Sequence, residues 1–279
     1  MSQLLDWVEE HKDKLSWIHL SKNTAPEAID MLDAYPEKIN WSILSGNPAA
    51  IHLIEAELEK NPYSTKIYWS YLSGNPAPEA VAMLEAFPEN IHWLYLSGNP
   101  AAIHLIETEL EKNPNQIDWS YLSANPSAIH LIEAELEKNP YSKKIHWSYL
   151  SENPSAIHLI EAELEKNPYS KKIYWSYLSK NPSAIHLIET ELEKNPYSNN
   201  INWSYLSGNP AAIHLIEAEL DANPDSNKID WVYLYANPAA IHIIREALEE
   251  NPDSNKINWN ILSGNPAIFK DNNNEYVLK

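Results

Sequence analysis

Cysteine is absent from the 279 residues, which excludes disulfides, thiolate nucleophiles and Cys-ligated zinc. Glycine is scarce, at five, leaving no phosphate-cradling loop and little room for a backbone to approach a cofactor. Positive charge is also short: 20 Lys and Arg stand against 39 Asp and Glu, a formal charge of −19, and that field repels a phosphate backbone. No run of about 18 apolar residues exists to span a membrane. The opening Met1-Ser2-Gln3-Leu4-Leu5-Asp6 lacks the basic start and apolar stretch of a signal peptide. The expectation is a cytoplasmic chain that binds neither nucleic acid nor membrane. Phenylalanine is nearly missing as well, two residues against 11 Trp and 16 Tyr, a choice that ordinary cores do not make.

Repetition explains that choice. Trp recurs at 17, 41, 69, 93, 119, 147, 175, 203, 231 and 259, in steps of 24 to 28 residues. An Asn keeps the same beat from Asn23 to Asn265, and Pro follows every one after the first. A fixed period in this range marks a tandem-repeat architecture. The type unit is Asn125 to Glu152, NPSAIHLIEAELEKNPYSKKIHWSYLSE. Asn125 is suited to an N-cap and Pro126 to the first helical position. Ala128, Ile129, Ile132 and Leu136 form a helical stripe over Ser127–Lys138, and Asn139 before Pro140 ends it. A shorter segment, about Lys143 to Ser151, carries Ile145, Trp147, Tyr149 and Leu150 around almost its whole circumference, so it is expected to be sandwiched between neighbours.

One such unit buries too little apolar surface to order itself, so units must stack. The predicted fold is an all-α solenoid: a single elongated domain over 1–279, with an N-terminal cap helix at 1–14, repeats over 15–264 and a C-terminal cap or tail over 265–279. Leu4, Leu5, Trp7 and Val8 give the first cap an apolar stripe, and Tyr276-Val277-Leu278 are candidates to dock on the last open face.

The units NPSAIHLIEAELEKNP and KIHWSYLS resemble the short Asn-Pro/Trp tandem repeats that giant DNA viruses of amoebae and algae encode in large numbers. The likeness runs from about Leu15 to Phe269. It implies a viral repeat protein in the host cytoplasm and supplies no catalytic residues. A consensus-style array of such repeats would look similar.

Units 125–152 and 153–180 differ only at His146/Tyr174 and Glu152/Lys180, so recent duplication explains what is constant and variation is the more informative signal. The residue before each Trp varies: Asn40, Tyr68, His92, Asp118, His146, Tyr174, Asn202, Asp230 and Asn258. These are the candidate interaction surface; drift on a solvated face is the alternative. A histidine row, His52, His104, His130, His158, His186, His214 and His242, is expected opposite the apolar stripe, near Glu three and seven residues on. It is either a pH- or metal-responsive ribbon or a duplicated, exposed side chain. Tyr63, Tyr141, Tyr169 and Tyr197 in the turns are expected to pack over their own loops, or else to form an aromatic ridge. Asp253-Ser254-Asn255 begins like a calcium loop but lacks its glycine and closing glutamate. No nucleophile elbow, HExxH or phosphate loop occurs, so no catalytic residue, metal site or cofactor is expected. The expected function is a non-catalytic scaffold for a protein partner, with a basic partner or segment favoured by charge. The alternatives are a structural, head-to-tail assembling component and an ion-responsive surface; the expected state is a monomer or a head-to-tail assembly.

Overall fold

A computed structural model describes residues 4–250 and 257–269. Among them the chain is all-α, in repeats of a short helix and a longer one, joined by a tight 3-10 turn except before the helices Pro26–Ala34 and Pro78–Ala86, that pack on their neighbours as an α-solenoid. The described residues within 1–68 and 231–279 form one compact unit, and 69–230 form a second.

In the second unit the type repeat shows how sequence becomes structure. Asn125 accepts from the Ser127 amide, and Pro126–Ala128 form the 3-10 turn, so the long helix starts at Ile129 and not at Ser127. It ends at Lys138, with Asn139 extended at φ −147° and ψ 96°, as a residue before proline requires. The next short helix is Trp147–Glu152; residues 143–146 are not helical. No described residue has positive φ, so the turns rest on Asn-Pro and not on left-handed glycine, which accounts for the glycine count.

The core of this unit is aliphatic. Ile132, Leu150, Ala128 and Ala156 are fully buried, and Ile145 nearly so. The indoles are only half-buried. Trp147 touches two successive core clusters, one around Ile132 and Leu150 and one around Ile160 and Leu178. Lys172 of the following turn lies over its outer face, Nζ 4.9 Å from the ring centroid. The short helix is therefore not wholly sandwiched: Leu150 is buried, but Tyr149 is 37% exposed.

A polar seam runs beside the aliphatic core. The carboxamide nitrogen of Asn153 donates to the carbonyls of Ser123 and Asn125 one repeat earlier, at 3.0 and 3.1 Å. Its oxygen accepts from the Ser155 amide at 3.0 Å. Ser123 Oγ donates to the Trp119 carbonyl and accepts the amide of His146. Asn99, Asn125 and Asn181 repeat the Asn153 pattern. No buried side-chain polar atom among the described residues lacks a partner. A seam this well satisfied pins each repeat at one register on the last.

The first unit uses the same seam, with an added feature. Asn47 donates to the Ser21 and Asn23 carbonyls, and Asn265 to those of Tyr235 and Asn237. Asn23 in turn donates to the carbonyls of Ser263 and Asn265, at 3.0 Å each. The Ser16 amide donates to Ser263 Oγ, as His146 does to Ser123. The first repeat therefore stacks on the last by the bonds that join sequence neighbours. The expected cap helix over 1–14 is two short pieces, Asp6–Glu9 and Lys12–Lys14. They lie on the last repeat: His11 stacks on Trp259 at 4.7 Å, Trp7 packs 6.0 Å from it, and Lys14 covers it at 5.6 Å. The Leu5 amide donates to the Ile268 carbonyl, beside a bridge from Leu4 to Phe269. The expected docking of Tyr276-Val277-Leu278 lies outside the described residues.

Candidate interaction surface

The residue before each Trp sits at the start of the short helix. Except at Asn258, where Tyr235 stands in place of the serine, its backbone amide is held by a serine hydroxyl of the preceding repeat: in the first unit Asn40 by Ser21 and Tyr68 by Ser45. In the second unit His92, Asp118, His146, Tyr174, Asn202 and Asp230 are held by Ser73, Ser97, Ser123, Ser151, Ser179 and Ser207. The shared bond is made by the backbone, so it holds whichever side chain stands there. The variation is not all solvent drift. Asn40, Asp118, Asn202 and Asn258 each accept an amide of the helix they begin, so four positions act as N-caps. His92, His146 and Tyr174 make no side-chain cap bond, and they and Tyr68 are exposed.

Beside this row in the second unit stands a feature that residue spacing alone does not single out. Tyr71, Tyr95, Tyr121, Tyr149, Tyr177 and Tyr205, each two residues after a Trp, make ring contacts in unbroken succession. Their centroids are 6.0, 6.0, 6.5, 6.3 and 6.3 Å apart. The variable row joins this ladder, His146 at 6.3 Å from Tyr149 and Tyr174 at 6.3 Å from Tyr177. Burial, then neighbouring Tyr95, Tyr149 and Asp118, push the Tyr121 hydroxyl up, so it stays neutral at physiological pH. Lys180 lies across the last gap, Nζ 5.5 Å from the Tyr177 ring and 4.5 Å from the Tyr205 ring, and it pairs with Glu152 at 3.3 Å.

The histidine row is exposed throughout: His52 and His242 in the first unit, His104, His130, His158, His186 and His214 in the second. Its carboxylate partners are not on the same helix, as the projection suggested. They belong to the preceding one: His104 meets Glu85, His130 Glu107, His158 Glu133, His186 Glu161 and His214 Glu189, all at 2.7–3.0 Å. The pairs are about half exposed, and such contacts are worth under about 1 kcal/mol. His158→Ala is expected to shift stability by less than about 0.5 kcal/mol in urea melts. Among the described residues no three His, Asp or Glu stand close enough to hold a metal ion. The calcium-loop-like Asp253-Ser254-Asn255 lies outside the described residues.

The turn tyrosines do not pack over their loops. Tyr63, Tyr141, Tyr169 and Tyr197 are 84–91% exposed. The serine beside each is the structural residue. Ser142 Oγ donates to Glu135 at 2.5 Å, while Lys144 reaches the other carboxylate oxygen at 3.3 Å and covers Trp119 at 5.0 Å. The Ser142 bond holds the Glu135 carboxyl below its usual range, and Glu57 is held low by Ser64 and Lys66 in the same way. Burial opposes the shift at Glu163 and Glu219, but hydrogen bonds from the neighbouring Ser and Lys prevail. A depressed carboxyl stabilises the fold above its unfolded pKa and ceases to as pH falls through the folded value. Melting temperature is therefore expected to fall as pH drops below about 4.5, and less steeply in Glu135→Gln.

One open groove of about 820 Å³ lies between the helices Ile103–Lys112 and Ile129–Lys138, against Pro114, Ile117 and Trp119. Here the turn between helices is Asn113-Pro114-Asn115-Gln116, and the connection from Lys112 to Trp119 is two residues shorter than the next one, from Lys138 to Trp147. No described helix is long and apolar enough to cross a membrane. Comparison with protein-family models, with curated proteins and with solved structures gives no match.

Proposed function

We propose that the chain is a non-catalytic scaffold that binds a protein partner along the tyrosine ladder of the second unit. The observation that carries this reading is the ladder itself, flanked by positions whose backbone is committed and whose side chains vary. Aromatic rings offer large contact area at low entropic cost and are enriched at the centres of protein interfaces. The charge of −19 favours a basic partner. The resemblance to giant-virus Asn-Pro/Trp repeats, and with it a place in the host cytoplasm, is a proposal that rests on the phase of the motifs. Head-to-tail assembly is disfavoured by the first unit, where the stacking face of the last repeat is occupied by the chain's own first repeat.

Photo-crosslinking tests the reading. A benzophenone amino acid at Tyr149 is expected to give a discrete adduct with a partner protein in lysate, and the same group at exposed His158 none. Equal labelling from both faces would count against the ladder.

A further inference from the structure

The position three residues after each ladder tyrosine decides what lies over the gap to the next ring. Where it is Lys180, the chain's own ammonium fills the gap between Tyr177 and Tyr205. One repeat earlier it is Glu152, which supplies the countercharge to that lysine. Two and three repeats earlier it is Ala124 and Gly98, with no side chain long enough to cover a ring. The site at Gly98 is close against the ladder: a Cβ there would stand 3.2 Å from Tyr121 Cδ1. Tyr121 and Tyr149 are 36% and 37% exposed, and the Asp118 carboxylate accepts the Tyr121 backbone amide at 3.0 Å.

We infer that the gaps Tyr95/Tyr121 and Tyr121/Tyr149 receive cationic side chains of an extended, arginine- or lysine-bearing partner segment, in the way the Tyr177/Tyr205 gap receives Lys180. The inference rests on the scaffold reading and names its partner. A cation over a tyrosine face is attracted by the ring quadrupole, most strongly where two rings flank it. Spacing sets the register. The rings stand 6.0 and 6.5 Å apart, and alternate residues of an extended chain rise roughly 6.4–6.8 Å. Every second residue of the segment therefore carries the charge, and the residues between point away. A single-stranded nucleic acid would also find rings to stack on, but its phosphates meet a chain of charge −19.

The test uses the full chain and two fluorescein-labelled peptides of six arginines and six serines, one alternating and one with the arginines in a block. Fluorescence anisotropy at about 0.15 M salt is expected to show the alternating peptide binding on the order of tenfold tighter. Ala124→Lys places the chain's own cation in an open gap and is expected to weaken that binding several-fold. Glu165→Gln, which makes the same change in net charge on an exposed site, should barely alter it. Lys180→Gly opens a further gap and should tighten binding. Equal affinity for the two peptides, or equal effects of Ala124→Lys and Glu165→Gln, would overturn the inference by reducing it to net charge. Tyr121-dependent binding of an oligothymidylate in place of the peptide would overturn it too. If neither peptide binds while the Tyr149 crosslink persists, this inference fails and the scaffold reading stands. If both are lost, both fail.

Discussion

Asn153→Ala is expected to cost about 3–5 kcal/mol in equilibrium unfolding, far more than loss of an N-cap, which costs about 0.5–2 kcal/mol. The difference comes from the carboxamide nitrogen. Asn153 is 1% exposed, and its loss strips a donor from the carbonyls of Ser123 and Asn125 as well as an acceptor from the Ser155 amide. Each buried group left without a partner costs roughly 1–3 kcal/mol; the Asn125 carbonyl keeps the Ala128 amide, so the full penalty falls on the Ser123 carbonyl and the Ser155 amide. Asn153→Asp keeps the acceptor and turns a carboxylate oxygen toward two carbonyls, so it should be at least as damaging. A loss under about 2 kcal/mol for Asn153→Ala would mean that the residue is only a cap and that the seam does not hold the repeats in register.

Removing residues 1–14 is the second large effect. Leu4 and Val8 are 5% and 0% exposed, and burying such side chains contributes about 1.5–3 kcal/mol each. The His11 and Trp7 contacts to Trp259 add about 0.5–1.5 kcal/mol apiece. The truncated chain is expected to be less stable by about 4–6 kcal/mol. It should also self-associate in light scattering, because the Ile268 carbonyl and the Trp259 ring lose their intramolecular cover. A monomer with an unchanged melting temperature would show that the segment contributes nothing to the first unit.

These two results would separate what was legible in the chain from what was not. The helix Ile129–Lys138 follows from its apolar stripe and from Asn-Pro at each end, because helix periodicity and proline stereochemistry act within a few residues. The stacking of repeats follows from the period of Trp and Asn. The role of the Asn was half visible: capping is local, but its bonds to Ser123 and Asn125 span 30 and 28 residues. The histidine row was visible and its partners were not, since Glu133 meets His158 across a repeat and not His130 along one helix.

The sequence by itself determined an all-α array of repeated hairpins, because composition, caps and periodicity act through neighbouring backbone. Tertiary structure alone decided which side of the short helix faces water, and so set Tyr149 and its fellows in a ladder while Leu150 went to the core. It alone brought Asn23 to Ser263 and Asn265. Both depend on how one repeat is rotated against the next, and that angle is set by packing between residues too distant in the chain for any local pattern to record.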